Sequence, residues 1–391
     1  MKKILFSIII CLSFLTAMTT EASLGESTNR SVSFENLKST LLQNNASLKK
    51  ADLLVKQAEL QYSKAIDSAN DISVMGKSIY ILGKPQFFYY PGSVQYMLKK
   101  QQLSITDQSK YFQDIMEWNR KMTQNSLVNG LWSLYAGMAN ADLNLEFQQK
   151  SLALKQKLYN SDVIKYDNGI ISETELSQSN YNLLSAQDDL KSAQRTEENL
   201  ARSLNNLLGA SLASKSVSLT IDDDINISSI KLENVDYYIN SAEESRMEIL
   251  DLQEQIEMKQ HEIDIIEEYL IYKSTEQSIS RDYDQACRDI ENLKLKLENV
   301  KLQIEKELKS AYIDVLNAGR DPDILKKTVI LQENNLKKLQ AQYDAGLISQ
   351  NDLEQAGLGV LQAENNYKAV CINYKVKVAR LLAASEIGPG Y

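Results

Sequence analysis

From Leu127 the apolar side chains recur at alternating spacings of four and three. The series runs Leu127, Leu131, Leu134, Met138, Ala141, Leu145, Gln148, Leu152, Lys155 and Tyr159, more than four heptads with two polar members near its end. A seven-residue repeat held this long restricts the chain to long helices packed along one seam. Ten residues with the same spacing follow a short interruption: Leu176, Ser179, Leu183, Ala186, Leu190, Ala193, Glu197, Leu200, Leu204 and Leu207. Two long helices joined by a short turn run antiparallel. The small residues on the second let the backbones approach closely, and the strict heptad implies a left-handed supercoil. Gly209 reads as the C-cap that ends the second helix. Breakers are scarce, with 4 prolines and 14 glycines in 391 residues, as uninterrupted helices require.

The pattern is written twice. Lys165–Gln178 reads KYDNGIISETELSQ, and Gln342–Gln355 reads QYDAGLISQNDLEQ. The seam after the second turn is Leu353, Ala356, Val360, Ala363, Tyr367, Val370, Tyr374 and Leu381. Most of these sit as far beyond a first-half seam residue as Gly346 sits beyond Gly169. The helix before it is marked by Ile290, Leu293, Leu297, Val300, Ile304 and Ala311, then by Leu336, Leu339 and Tyr343. Gly319–Asp323 interrupts it, with Asp321 expected as N-cap and Pro322 in the first turn of a restarted helix. Turn and core periodicity repeat together, so the chain is an internal duplication. Each half opens with an amphipathic helix, from Ser33 and from Val235, carrying a matched pair Asn45–Leu48 or Arg246–Ile249. Ser216–Ser228 alternates briefly, as one strand or an extended connector. The fold class expected is all-α: tandem antiparallel coiled-coil hairpins, residues 31–215 and 216–391.

Residues 1–22 read as a secretory signal peptide, with Lys2 and Lys3 before an apolar stretch, Ile4 to Met18, too short for an ordinary spanning helix, and small Thr20 and Ala22 before the cut. An uncleaved anchor is the other reading. Removing these residues leaves 41 basic and 51 acidic side chains, a formal net charge of −10. No basic stripe is present, which argues against nucleic acid as a partner. Cys287 and Cys371 alone remain, too few for a disulfide framework, and read as packing residues.

Chemistry-bearing patterns are absent. The single histidine, His261, reads as a solvated helix residue. No cysteine–histidine cluster has metal-ligand spacing, and no glycine-rich phosphate loop occurs. Asp188–Asp189 and Glu197–Glu198 read as solvated faces. An enzyme, a cofactor and a bound metal are not expected; function should lie in shape and assembly.

The pattern YxxGxxSxxxLxQ, followed by Leu/Ala heptads closing at LLG, the duplication and the opening helix together resemble the TolC-type outer-membrane efflux proteins over roughly residues 31–385. The resemblance implies a homotrimer whose helices form a hollow duct in the cell envelope. It implies that the hairpin tips meet a periplasmic-adaptor-type protein and, with it, an inner-membrane transporter, and that solutes pass through. The tips here are Asp167, Gly169 and Ser172, and Asp344, Gly346 and Ser349. Relatives ring the narrow inner end with acids just past the tip glycine; the matching positions are Glu175 and Asp352, each six residues after its glycine. A second acid of some relatives is Gln178 or Gln355 here, so any constriction should carry less charge.

The sequence departs from that family where a barrel should be. A spanning hairpin needs about 25 residues with its turn. Asp71–Ser93 barely has that length and holds three glycines and two prolines, with FFYY as a remnant interfacial belt. In the second repeat only Ile271–Asp284, polar and too short for a lipid-facing hairpin, separates the helices. Little or no β-barrel is expected. Two readings follow: a short efflux-type duct in an outer membrane or periplasm, or a barrel-less envelope scaffold or adaptor-binding protein without its own pore, at the cell surface if the cell has one membrane. A third, an unrelated secreted coiled coil, is disfavoured by the duplication.

Overall fold

A computed structural model describes residues 33–209, 227, 230–269 and 277–388. The signal peptide assigned to residues 1–22 and most of the connector Ser216–Ser228 lie outside the described residues. The first repeat comprises α1 (Phe34–Asn44), α2 (Ala46–Asn70), β1 (Gly76–Ile81), β2 (Lys84–Tyr89), α3 (Gly92–Asp167) and α4 (Glu173–Leu207). The second comprises α5 (Val235–Ser245), α6 (Met247–Glu268), α7 (Gln277–Ala318), α8 (Asp321–Asp344) and α9 (Gln350–Ser385). With 76 residues, α3 is about 110 Å long at about 1.5 Å per residue.

The heptad seams are where the core forms. Leu131, Met138 and Ala141 on α3 and Leu183, Ala186, Ala193 and Leu204 on α4 are buried, and no seam residue of either helix is exposed. Antiparallel α3 and α4 pack along these seams, as α8 and α9 do in the second repeat. One seam does not describe α3, however. Ala136, Ala139 and Leu143 are buried off it, because α3 also packs on α9, and Tyr135 is buried off it against Phe34 of α1, their rings 5.5 Å apart. Ala136 and Ala139 meet Ile372 and Val376 there, and buried Asn365 donates its amide to the Leu143 carbonyl at 2.8 Å. A helix with partners on two sides exceeds a single heptad stripe.

Each opening helix is broken in two. Asn45 (φ −62°, ψ 127°) and Arg246 (φ −65°, ψ 128°) are extended residues between α1 and α2 and between α5 and α6. Buried Leu37, Leu41 and Leu48 match buried Tyr238, Ala242 and Ile249 at one constant offset, whereas Leu131 and Leu204 match Leu308 and Leu381 at a shorter one. The first repeat therefore holds extra chain between break and tip. It corresponds to the β-hairpin, paired from Gly76↔Tyr89 to Ile81↔Lys84. Its strands of six residues are shorter than the nine to eleven of a membrane-spanning strand. Among the described residues this is the only sheet.

Two local expectations are corrected. Gln277–Asp284, expected to be irregular, is the start of α7: Ile279 is wholly buried against the Tyr96 and Ile266 cluster, and that contact holds the polar segment helical. Residues 270–276 lie outside the described residues. Asp321 is the first residue of α8 and not its N-cap, which is Arg320 in helical conformation (φ −86°, ψ −29°). Pro322 cannot donate to the carbonyl four residues back, at Ala318, and the interruption is confined to the turn between Ala318 and Asp321.

At the hairpin end, Tyr96 donates to Asp282 at 2.9 Å, and Lys100 pairs with Glu262 at 2.7 Å and Asp282 at 3.1 Å. This network ties the start of α3 to α6 and α7; burial, reinforced by the bond to Asp282, pushes the Tyr96 hydroxyl up to about 12. The free cysteines are placed as expected, Cys371 buried and Cys287 half-buried.

Candidate functional site

The two turns between seam helices have the same hydrogen bonds. At the end of α3 the Ile170 amide donates to the Lys165 carbonyl and the Gly169 amide to the Tyr166 carbonyl, both at 2.8 Å. At the end of α8, Leu347 donates to Gln342 and Gly346 to Tyr343, also at 2.8 Å. This is the Schellman motif, which needs a left-handed residue just past the helix. Gly169 (φ +70°) and Gly346 (φ +73°) supply it.

The next helix starts three residues later by a reciprocal cap. Ser172 Oγ accepts from the Glu175 amide at 3.3 Å, and the Ser172 amide donates to Glu175 Oε2 at 2.7 Å. In the second tip Ser349 Oγ accepts from the Asp352 amide at 3.2 Å, and the Ser349 amide donates to Asp352 Oδ2 at 3.0 Å. The repeated motif thus has a physical reading: glycine closes one helix, serine with the acid opens the next, and Leu176 or Leu353 begins the seam. Asp167 and Asp344 are the last helical residues before each turn. Hydrogen bonds from Ser172, the backbone amide first, hold the Glu175 carboxyl below its usual range; for Asp352 the Ser349 hydroxyl leads and the amide follows.

The residue after each glycine ordinarily folds back onto its own helix in this motif. Here Ile170 and Leu347 are 70% and 73% exposed. Two large apolar side chains at corresponding places leave each tip without a local partner, a feature the sequence motif marks only as a pair of aliphatic residues.

Elsewhere the structure revises single residues. His261 is half-exposed, with Nδ1 3.1 Å from Asp107 Oδ2 on α3, so it bridges helices. Glu197 stands in the α4 seam facing Asp142 of α3. Burial, then the Glu197 charge, pushes Asp142 up to about 6. Heptad spacing placed Glu197 in the seam, but Asp142 lies one position off it and gave no signal. Among the described residues no cluster of three or more potential ligands could hold a metal ion.

No protein-family model matches this sequence, and no curated protein matches it. Solved structures do. The Campylobacter jejuni CmeC outer membrane channel superimposes with a TM-score of 0.61 at 15% identity, over 94% of this chain and 90% of that one. The Vibrio cholerae outer membrane protein VceC gives 0.59 at 14% identity, over 91% and 96%. The open state of the Neisseria gonorrhoeae MtrE outer membrane channel gives 0.56 at 14% identity, over 91% and 89%. The fold is the outer-membrane channel fold. At this identity the likeness establishes architecture, and it bears out the all-α duplicated hairpins read from the sequence. In that fold the two tips lie at the far ends of the long hairpins, and the β-hairpin lies at the opposite end of α3.

Proposed function

We propose that the chain is a TolC-like component of an efflux or secretion system, exported to the cell envelope, whose helices close with other copies into a duct for solutes. The observation that carries this reading is the pair of identical tips on long duplicated hairpins within the channel fold. Unfilled seams support self-assembly. Leu53 and Leu60 on α2, Leu295 and Leu302 on α7, and Ile324 and Leu331 on α8 are each seven residues apart and between 56% and 67% exposed. A heptad stripe facing water is half of a coiled-coil contact. Different stripes on opposite repeats suit a head-to-tail contact that closes into a ring, and the family resemblance makes that ring a trimer.

In this reading the tips Asp167–Ser172 and Asp344–Ser349 dock an adaptor of an inner-membrane transporter through Ile170 and Leu347. Glu175 and Asp352 sit near the narrow end as carboxylates already engaged in caps, a weak ring beside Gln178 and Gln355. No catalytic step is assigned to any residue. The six-residue strands favour a second reading, a barrel-less scaffold that binds the adaptor without enclosing a pore. Cells lacking the gene separate the two: failure to clear a fluorescent solute, restored by the wild-type chain and not by Leu302→Glu/Leu331→Glu, is the result expected of a duct. Normal clearance without the gene contradicts it.

A further inference from the structure

The β-hairpin is the part of the molecule that the duct reading leaves unused, and its chemistry is unlike the rest. Every residue from Lys77 to Tyr89 is exposed, and the two strands pair only with each other. The register puts Tyr80, Pro85, Phe87 and Tyr89 on one face, with Phe87 and Tyr89 in edge contact at 4.9 Å. The other face carries Lys77 and Lys84 beside Ile79, Ile81, Gln86 and Phe88, so apolar side chains are exposed on both faces and the lysines flank them on one. Leu82, at φ +49° in the turn with Gly83 at +76°, is 99% exposed at the tip. Aromatic side chains between 44% and 77% exposed, ending in a bare leucine, leave a contiguous apolar surface in water.

Charge points to what covers it. The chain has a formal net charge of −9, yet from Ile72 to Thr106 no Asp or Glu occurs, while Lys77, Lys84, Lys99 and Lys100 do. Lys100 is spent on Glu262 and Asp282; Lys77 and Lys84 have no carboxylate on the hairpin to meet. A surface both apolar and locally basic on an acidic protein complements an anionic lipid headgroup layer, where tyrosines and lysines settle. Spanning is excluded by length: six residues reach about 20 Å at about 3.3 Å each, against a hydrocarbon core of about 30 Å. No described helix is long and apolar enough to cross a membrane.

We propose that the hairpin Gly76–Tyr89 is an interfacial lipid contact, embedding Leu82 and its aromatic face in an anionic headgroup layer without crossing the bilayer. This stands whether or not the helices enclose a pore. Gly76 fixes its base: a Cβ there would lie 2.0 Å from the Phe88 carbonyl oxygen, so the strands meet at a defined place above the α2–α3 pair. The Tyr96–Lys100–Asp282–Glu262 network holds the helices beneath.

Flotation of the purified chain tests this, with vesicles of phosphatidylethanolamine and phosphatidylglycerol against vesicles of phosphatidylcholine alone. The chain is expected to float with the anionic vesicles and to be released by alkaline carbonate. Tyr80→Thr/Leu82→Asn/Phe87→Thr should weaken binding about tenfold or more with unchanged helicity and melting, since none of the three contributes to the core. Lys77→Gln/Lys84→Gln should lose the preference for anionic lipid. Failure of the wild type to float, equal flotation of the triple variant, or retention through carbonate would each overturn the proposal. So would a hairpin-to-hairpin crosslink between copies through Tyr89→Cys without flotation, which would make the surface a protein contact.

Discussion

Asn45 Nδ2 donates to the carbonyl oxygen of Leu207 at 2.8 Å, and at the corresponding place in the second repeat the carbonyl of Ala384 accepts from Arg246 Nη1 at 3.0 Å. Both donors are the break residues of the opening helices, and both acceptors lie at the end of a return helix. The break frees a side chain to satisfy a terminal carbonyl that the helix cannot satisfy itself. Asn45 also caps α2, accepting from the Ser47 amide at 2.9 Å. Arg246, buried to 2% exposure, adds Glu248 at 2.7 Å and Glu307 at 3.3 Å.

Asn45→Ala should therefore cost about 1–2 kcal/mol, one cap and one hydrogen bond. Arg246→Met should cost about 2–3 kcal/mol, less than for a wholly buried pair because Glu248 and Glu307 keep contact with water. Denaturant melts followed by circular dichroism measure both. Equal, negligible losses would remove the clamp from the account.

At the tips no atom lies within 4 Å of a Cβ built on Gly169 or Gly346. The cost of substitution is then backbone conformation alone. Gly169→Val and Gly346→Val should each cost about 1–2 kcal/mol, whereas Asn, which tolerates the left-handed region, should be close to neutral. Hydrogen exchange of the Ile170 and Leu347 amides reads the difference directly, since both are held by the Schellman bond. Equal protection in the Val and Asn variants would contradict the motif's role.

Asp142 gives a pH dependence with a definite sign. Its folded pKa, about 6, lies above the ordinary carboxylate value of 3.8. The folded chain thus binds the extra proton between these values, and this group's contribution to stability falls as pH rises through that window. Asp142→Asn should flatten the slope and raise stability at pH 7, by about 1–2 kcal/mol after allowing for screening by water. Glu197→Gln should give a smaller gain in the same direction, because burial outweighs the Glu197 charge. The tip acids act oppositely: Glu175 and Asp352 support their caps above the ordinary carboxylate range and lose that support as acid protonates them. An unchanged pH profile in Asp142→Asn would place the carboxylate in water.

Much of this was legible in the sequence because coiled coils write their contacts at fixed spacing. Leu131, Leu183, Leu204 and Leu381 could be placed in the core from periodicity, and Gly169 and Ser172 as a turn from their chemistry. The second contact face of α3 was not legible, since Ala136, Ala139 and Leu143 obey the same helical period displaced by one or two residues and meet α9 far away in sequence. Nor was the helical start of α7, where one buried residue, Ile279, outweighs a polar context. Asn45 and Arg246 were visible as a matched pair, but their role required the return helices to be in place. The offset between repeats is longer at the opening helices than along the seams; that shift, readable in principle, marks the inserted hairpin.

The central claim is that the heptad stripes left open on one copy are filled by another. Native mass spectrometry of the purified chain in mild detergent measures this most directly. A closed trimer is predicted, reduced to monomer by Leu302→Glu/Leu331→Glu while helicity is retained. A wild-type chain that stays monomeric at every concentration, with those substitutions silent, would contradict it.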